Sequence, residues 1–64
     1  MNPEIQRLIS MAGGQGAFAR EVGRSQQTVS KWLHGITQPG ARSALAIEKT
    51  YGTPAHVIRP DIFL

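Results

Sequence analysis

Residues 16–35, GAFAREVGRSQQTVSKWLHG, decide the fold of this chain. Ala17, Phe18, Ala19 and Val22 set small and apolar side chains along a short helical stripe, and Gly23 follows where a left-handed cap is expected. After Arg24, Ser25 offers a hydroxyl to cap a new helix, in which Val29, Trp32 and Leu33 recur at i, i+3 and i+4 until Gly35 stops it. Two short helices joined by a turn of about three or four residues containing glycine predict a helix-turn-helix. The residue types follow from sterics. Ala19 sits where the two helices must approach closely. Gly23 sits where the turn needs positive φ, which costs a residue with a Cβ roughly 1–2 kcal/mol.

The rest of the chain supplies partners for this pair. Asn2-Pro3 reads as an N-cap followed by a first helical residue that needs no amide partner. The first helix carries Ile5, Leu8, Ile9 and Ala12 on one stripe, and Gly13-Gly14 is its exit. ITQPG, residues 36–40, is a loop by its Pro-Gly pair. ARSALAIEKTYG resumes a helix with Ala41, Ala44, Leu45, Ile47 and Tyr51 mostly on one side, ended by Gly52. Thr53-Pro54 repeats the cap-then-proline signature and opens a short fifth helix through about Ile58, and Pro60 ends it. No segment alternates apolar and polar residues between hairpin turns. The expected fold is all-α, a compact five-helix bundle containing a helix-turn-helix.

The 64 residues fit one small domain, residues 1–64, in which every helix shares one core. At this size a core supplies roughly 3–5 kcal/mol unless a disulfide, a metal, oligomerisation or very regular packing adds to it. The chain has no cysteine, which removes disulfides and most structural zinc sites. Helix packing and a dimer partner remain. Lys+Arg number 7 against 4 Asp+Glu, a formal charge of +3, and the pI is near 10.2, which points to an anionic partner. No apolar run approaches a membrane span, and MNPEIQRLIS lacks a basic segment followed by an unbroken apolar stretch, so the expected location is cytoplasmic.

With Val29, Trp32 and Leu33 turned inward, the third helix leaves Ser25, Gln26, Gln27, Ser30, Lys31 and His34 outside. These are hydrogen-bonding side chains with no acid among them. On a double-stranded DNA, glutamine matches adenine N6 and N7, lysine matches guanine O6 and N7, and serine fits either. An acidic residue there would meet phosphate repulsion. Gln15 and Gly16 open the second helix, where free N–H groups and the positive helix end suit a phosphate. Arg42, Thr37 and Gln38 are weaker candidates for the backbone.

The chain resembles the Cro-type phage repressors and the related YdaS-like antitoxins. The matching text is GAFAREVGRSQQTVSKWLHG, then PGARSALAIEKTYG, then TPAHVIRPDIF, and it covers about Pro3 to Phe63. The closing RPDIF favours this family over helix-turn-helix proteins in general. The resemblance implies a lambda-repressor-like DNA-binding domain, an operator-binding repressor encoded by a phage or prophage and acting as a homodimer. By it, Ser25, Gln26, Gln27, Ser30, Lys31 and His34 match base- and phosphate-facing positions, and Gln15 matches the phosphate contact at the second helix start. Arg24 departs from the motif, which usually has an aliphatic residue in the turn. Its stem either lies on the core with the guanidinium toward phosphate, or the turn is less tightly packed. The antitoxin branch implies a different role, a protein-interaction module that masks a toxin through its apolar tail.

Other features point elsewhere only weakly. Trp32 is placed in the core by its register with Val29 and Leu33, rather than on a base. Gly13-Gly14-Gln15-Gly16 has neither a preceding strand nor the lysine of a phosphate-binding loop. Ser30 and His34, at i and i+4, have no third catalytic member, so an enzyme is not expected and no cofactor is implied. His34 and His56 do not make a metal site. Arg7, Arg20, Lys49 and Arg59 are read as solvating charges, and Glu21 and Glu48 either as the same or as holding a nearby arginine in place. Ile58, Ile62, Phe63 and Leu64 are either late core or a dimer surface.

Overall fold

In the computed structural model, which describes residues 1–63, the Asn2 side chain accepts hydrogen bonds from the N–H groups of Glu4 and Ile5, both at 3.1 Å. This caps α1 (Pro3–Ala12) where its sequence predicts. α2 (Gln15–Val22) and α3 (Gln26–Leu33) follow, then α4 (Ala41–Tyr51) and the single turn α5 (Ala55–Ile58). The architecture is all-helical, with no strand among the described residues. None of the described helices is long and apolar enough to cross a membrane.

The α2–α3 turn has the geometry its glycine requires. Gly23 adopts φ 73°, its N–H reaches the Arg20 carbonyl at 3.4 Å, and the Arg24 N–H reaches the Ala19 carbonyl at 2.9 Å. That pair of bonds is the Schellman arrangement, which satisfies the last carbonyls of α2 and reverses the chain. Ala19, 3% exposed, lies at the crossing.

One core joins four of the helices. Ile5 and Leu8 come from α1, Phe18, Ala19 and Val22 from α2, Val29 and Trp32 from α3, and Ile47 from α4. Trp32 is 2% exposed, in keeping with its register. The Tyr51 ring tilts against Phe18 with centroids 5.6 Å apart. Its buried hydroxyl has no hydrogen-bond partner among the described residues, and burial, aided by the charge of Glu21, raises its pKa.

Several expectations are corrected. Leu45 is 50% exposed and Ala41 is exposed, while Ser43, Ala44 and Ile47 form the buried stripe of α4. At about 100° per residue, Leu45 falls on the far side of that stripe. Thr53-Pro54 does not act as a cap followed by a first helical residue. Pro54 itself occupies the cap position of α5 without a side-chain bond, and the Glu48 carboxylate takes the Ala55 N–H at 2.6 Å. Thr53 is buried, and its hydroxyl accepts from Arg7 at 3.3 Å. Glu48 is therefore a cap supplied by α4, and Arg7, also paired with Glu4, ties α1 to the α4–α5 connection.

Arg59 is not simply a solvating charge. Its guanidinium forks onto Asp61 and also donates to the Pro39 carbonyl at 2.7 Å. Hydrogen bonds from Arg59 hold the Asp61 carboxyl below its ordinary pKa. The apolar tail divides. Ile58 packs against the core, Phe63 is half-buried and Ile62 is 45% exposed, while Leu64 lies outside the described residues.

Candidate nucleic-acid interface

α3 is positioned by its buried side and its cap. Val29 and Trp32 anchor it to α1 and α2, and the Ser25 oxygen accepts the Thr28 N–H at 3.1 Å. The Ser25 hydroxyl hydrogen goes to Thr28 Oγ1 at 2.9 Å. Ser25 is thus engaged in holding the start of α3, with one lone pair left for an outside donor. Thr28, half-buried beside it, was not singled out from the sequence. Its signal was the Ser-x-x-Thr spacing, which places a second hydroxyl over the cap.

Gln26, Gln27, Lys31 and His34 are exposed, and Ser30 is half-buried on the same outward side. His34 Nδ1 lies 2.8 Å from the Ser30 carbonyl oxygen. A carbonyl oxygen only accepts, so Nδ1 carries the hydrogen and Nε2 is the nitrogen left to face outward. Ser30 Oγ stands 3.5 Å from the same Nδ1, which as a donor is not available to take a serine proton. No Asp or Glu occurs between Gly23 and Gln38, so the exposed side of α3 carries only neutral and positive groups.

Gln15 is the half-buried first residue of α2, and the cap position before it is Gly14, which provides no side-chain acceptor. The first N–H groups of α2 therefore have no capping side chain of their own. A Cβ built on Gly16 would stand 3.5 Å from Gln26 Oε1. Gln26 therefore reaches the first turn of α2, and the structure brings the starts of α2 and α3 together. That proximity was not legible in the sequence. Gly16 itself is helical, its φ lies outside the left-handed region, and the 3.5 Å spacing is ordinary contact. Gly16→Ala should therefore raise stability by about 0.4–1 kcal/mol, chiefly by restricting the unfolded chain. A thermal melt checks this; a lower midpoint would mean that Gln26 cannot yield to the added methyl.

Arg24 is exposed, and no hydrogen bond or ion pair of its guanidinium occurs among the described residues. Its backbone completes the turn while its side chain remains outside. Thr37, Gln38 and Arg42 are also exposed, in the loop after α3 and at the start of α4. Two chain segments thus flank α3: the α2 start on one side and the α3–α4 loop that continues from its end.

Residues 5–64 match the model of a family described as bacterial toxin YdaS. Over 63 residues the chain is 36% identical to a protein of Escherichia coli (strain K12) named "Putative transcriptional regulator YdaS", covering 95% of this chain and 64% of that protein. The chain thus spans a little under two thirds of the length of the curated relative it matches. No solved structure matches it.

Proposed function

The chain belongs to the family described as bacterial toxin YdaS, and from that premise we propose that it is a Cro-like, sequence-specific transcriptional regulator of double-stranded DNA. In this reading the 64 residues are one DNA-binding domain, and α3 enters the major groove of an operator. Gln26 and Gln27 address base edges, with Lys31 and His34 toward guanine or phosphate and Ser30 within reach of either. Gln15, the N–H groups opening α2 and the Ser25 end of α3 address the phosphate backbone. The chain represses by occupancy and binds as a homodimer to half-sites about 10 bp apart.

One observation carries the reading: an exposed, acid-free polar side of α3, held by a serine cap after a left-handed glycine turn and backed by a buried valine and tryptophan. The relative's name supports a regulator. Binding to a duplex should weaken steeply with salt, with a log-log slope of about −0.9 for each phosphate neutralised. Fluorescence anisotropy across a salt series measures it, and an affinity indifferent to salt would remove the backbone contacts from the account.

A second reading is a toxin-neutralising antitoxin that binds a protein through its tail. The exposed Val57 and Ile62, 46% and 45% accessible, favour it, as does the family's description as a toxin. Repeating the titration on duplexes of different sequence separates the two, because a tail-directed interaction module predicts no preference among them.

A further inference from the structure

RPDIF, residues 59–63, takes no part in the helix-turn-helix, yet its first residue makes more side-chain hydrogen bonds than the rest of the tail. Arg59 Nε donates to Asp61 Oδ1 at 2.8 Å and Nη2 to Asp61 Oδ2 at 2.6 Å, a two-pronged pair that fixes the guanidinium plane. With that plane fixed, Nη1 is aimed at the Pro39 carbonyl, 2.7 Å away. A tight turn sets the geometry, since the N–H groups of Ile62 and Phe63 both return to the Arg59 carbonyl, at 3.1 and 3.0 Å. The Arg59 side chain is 18% exposed and the Asp61 side chain 59%, so the bond to Pro39 lies on the inner side of the pair.

Pro39 belongs to the loop that follows α3. The first part of this loop is tied back to its own helix, because the N–H groups of Ile36 and Thr37 both donate to the Lys31 carbonyl. The end of the loop runs into α4 through the bond from Ala44 N–H to the Gly40 carbonyl. Between these points Thr37 and Gln38 border an open cleft of about 600 Å³ that Ile58, Pro60 and Asp61 also line. Among the described residues, the Arg59 to Pro39 bond is the hydrogen bond that crosses from the tail to this loop.

We infer that Arg59 and Asp61 form a latch that sets the α3–α4 loop, and with it Thr37 and Gln38, in position to meet the DNA backbone. The inference rests on the DNA-binding reading above for its last step, while the latch itself concerns only the loop. Arg59 is a positioning residue: its guanidinium is committed to Asp61 and Pro39 and does not itself contact phosphate. Lysine cannot replace it, because an ammonium is a point charge without the planar fork that grips a carboxylate and still aims a third donor.

The sign of one substitution separates the latch from plain electrostatics. Asp61→Asn makes the chain more positive than its formal +3, so charge alone predicts tighter binding to a duplex. The latch predicts weaker binding, by about threefold to tenfold, because the fork is lost. Arg59→Lys keeps the charge and should lose a similar factor, while the preferred base sequence stays the same in both variants. Hydrogen exchange followed by NMR should show faster exchange in both at Ile36 and Thr37, whose N–H groups the Lys31 carbonyl holds, with circular dichroism melts confirming that each variant is folded. Equal or tighter binding by Asp61→Asn, together with unchanged loop exchange, would overturn the latch. If the wild-type chain bound no duplex, the DNA-binding reading would fall, and loop exchange alone would still decide for or against the latch.

Discussion

Phe18→Ala is expected to leave about half or more of the chain unfolded at about 25 °C, because the loss is comparable to the whole stability of a core this size. Phe18 is 0% exposed, is the largest fully buried side chain, and packs from α2 toward residues of α1, α3 and α4 and the Tyr51 ring. Truncating a buried phenylalanine costs about 3–5 kcal/mol, and a single core of this length supplies roughly the same. The chain has no cysteine and hence no disulfide to retain the fold. Far-UV circular dichroism should therefore lose about half or more of its helical signal in buffer without denaturant. Leu45→Ala is the internal comparison. Leu45 is half-exposed on the outer side of α4, and its loss should shift stability by no more than about 0.5 kcal/mol. A Phe18→Ala chain that melted cooperatively within a few degrees of wild type would mean that the core does not depend on α2 as described.

Gln27→Ala and Lys31→Ala should damage DNA binding in different ways. Both side chains are exposed on α3, and neither belongs to the core, so the melts of both variants should stay near wild type. A bidentate glutamine contact discriminates between bases by about 1–3 kcal/mol, or about fivefold to 150-fold. Its loss should flatten preference at one operator position while leaving the salt slope nearly unchanged. Lys31→Ala should instead weaken all duplexes to a similar degree and reduce the salt slope by about 0.9, the signature of one phosphate contact removed. Anisotropy titrations against a set of single-base operator variants would separate the two. If both variants bound every duplex as wild type does, α3 would not be in the groove.

The helix-turn-helix was legible because its determinants are local. Gly23, Ser25 and the Val29, Trp32, Leu33 spacing each act within one turn of the residues they order, and the structure has them there. The same holds for Asn2, whose cap acts within three residues. The features that sequence reading missed depend on partners far along the chain. Glu48 caps α5 from 7 residues away, Arg59 reaches Pro39 across 20, and Arg7 reaches Thr53 across 46. A charged residue bound to a distant carbonyl or hydroxyl has no periodicity to betray it, so Arg59, Arg7 and Glu48 all read as surface charges.

Leu45 was misplaced for a different reason. The apolar residues of ARSALAIEKTY cover more than one side of a helix, and contact with α2 decides that the small Ser43 and Ala44, with Ile47, turn inward. Of the candidate interface, the exposed set on α3 followed from the inward register of Val29 and Trp32. What did not follow was the commitment of the Ser25 hydroxyl to Thr28, the bond that fixes the His34 ring to Ser30, and the approach of Gln26 to Gly16. Each of these depends on a side-chain torsion, which helical period leaves free.

The central claim, that α3 reads base edges, is tested most directly by selecting bound duplexes from a randomised library at a low and a raised salt concentration. The account predicts a defined motif that persists at the higher salt, with half-sites about 10 bp apart if the chain binds as a symmetric dimer. Recovery of the library without enrichment of any sequence, by a chain that circular dichroism shows to be folded, would contradict it.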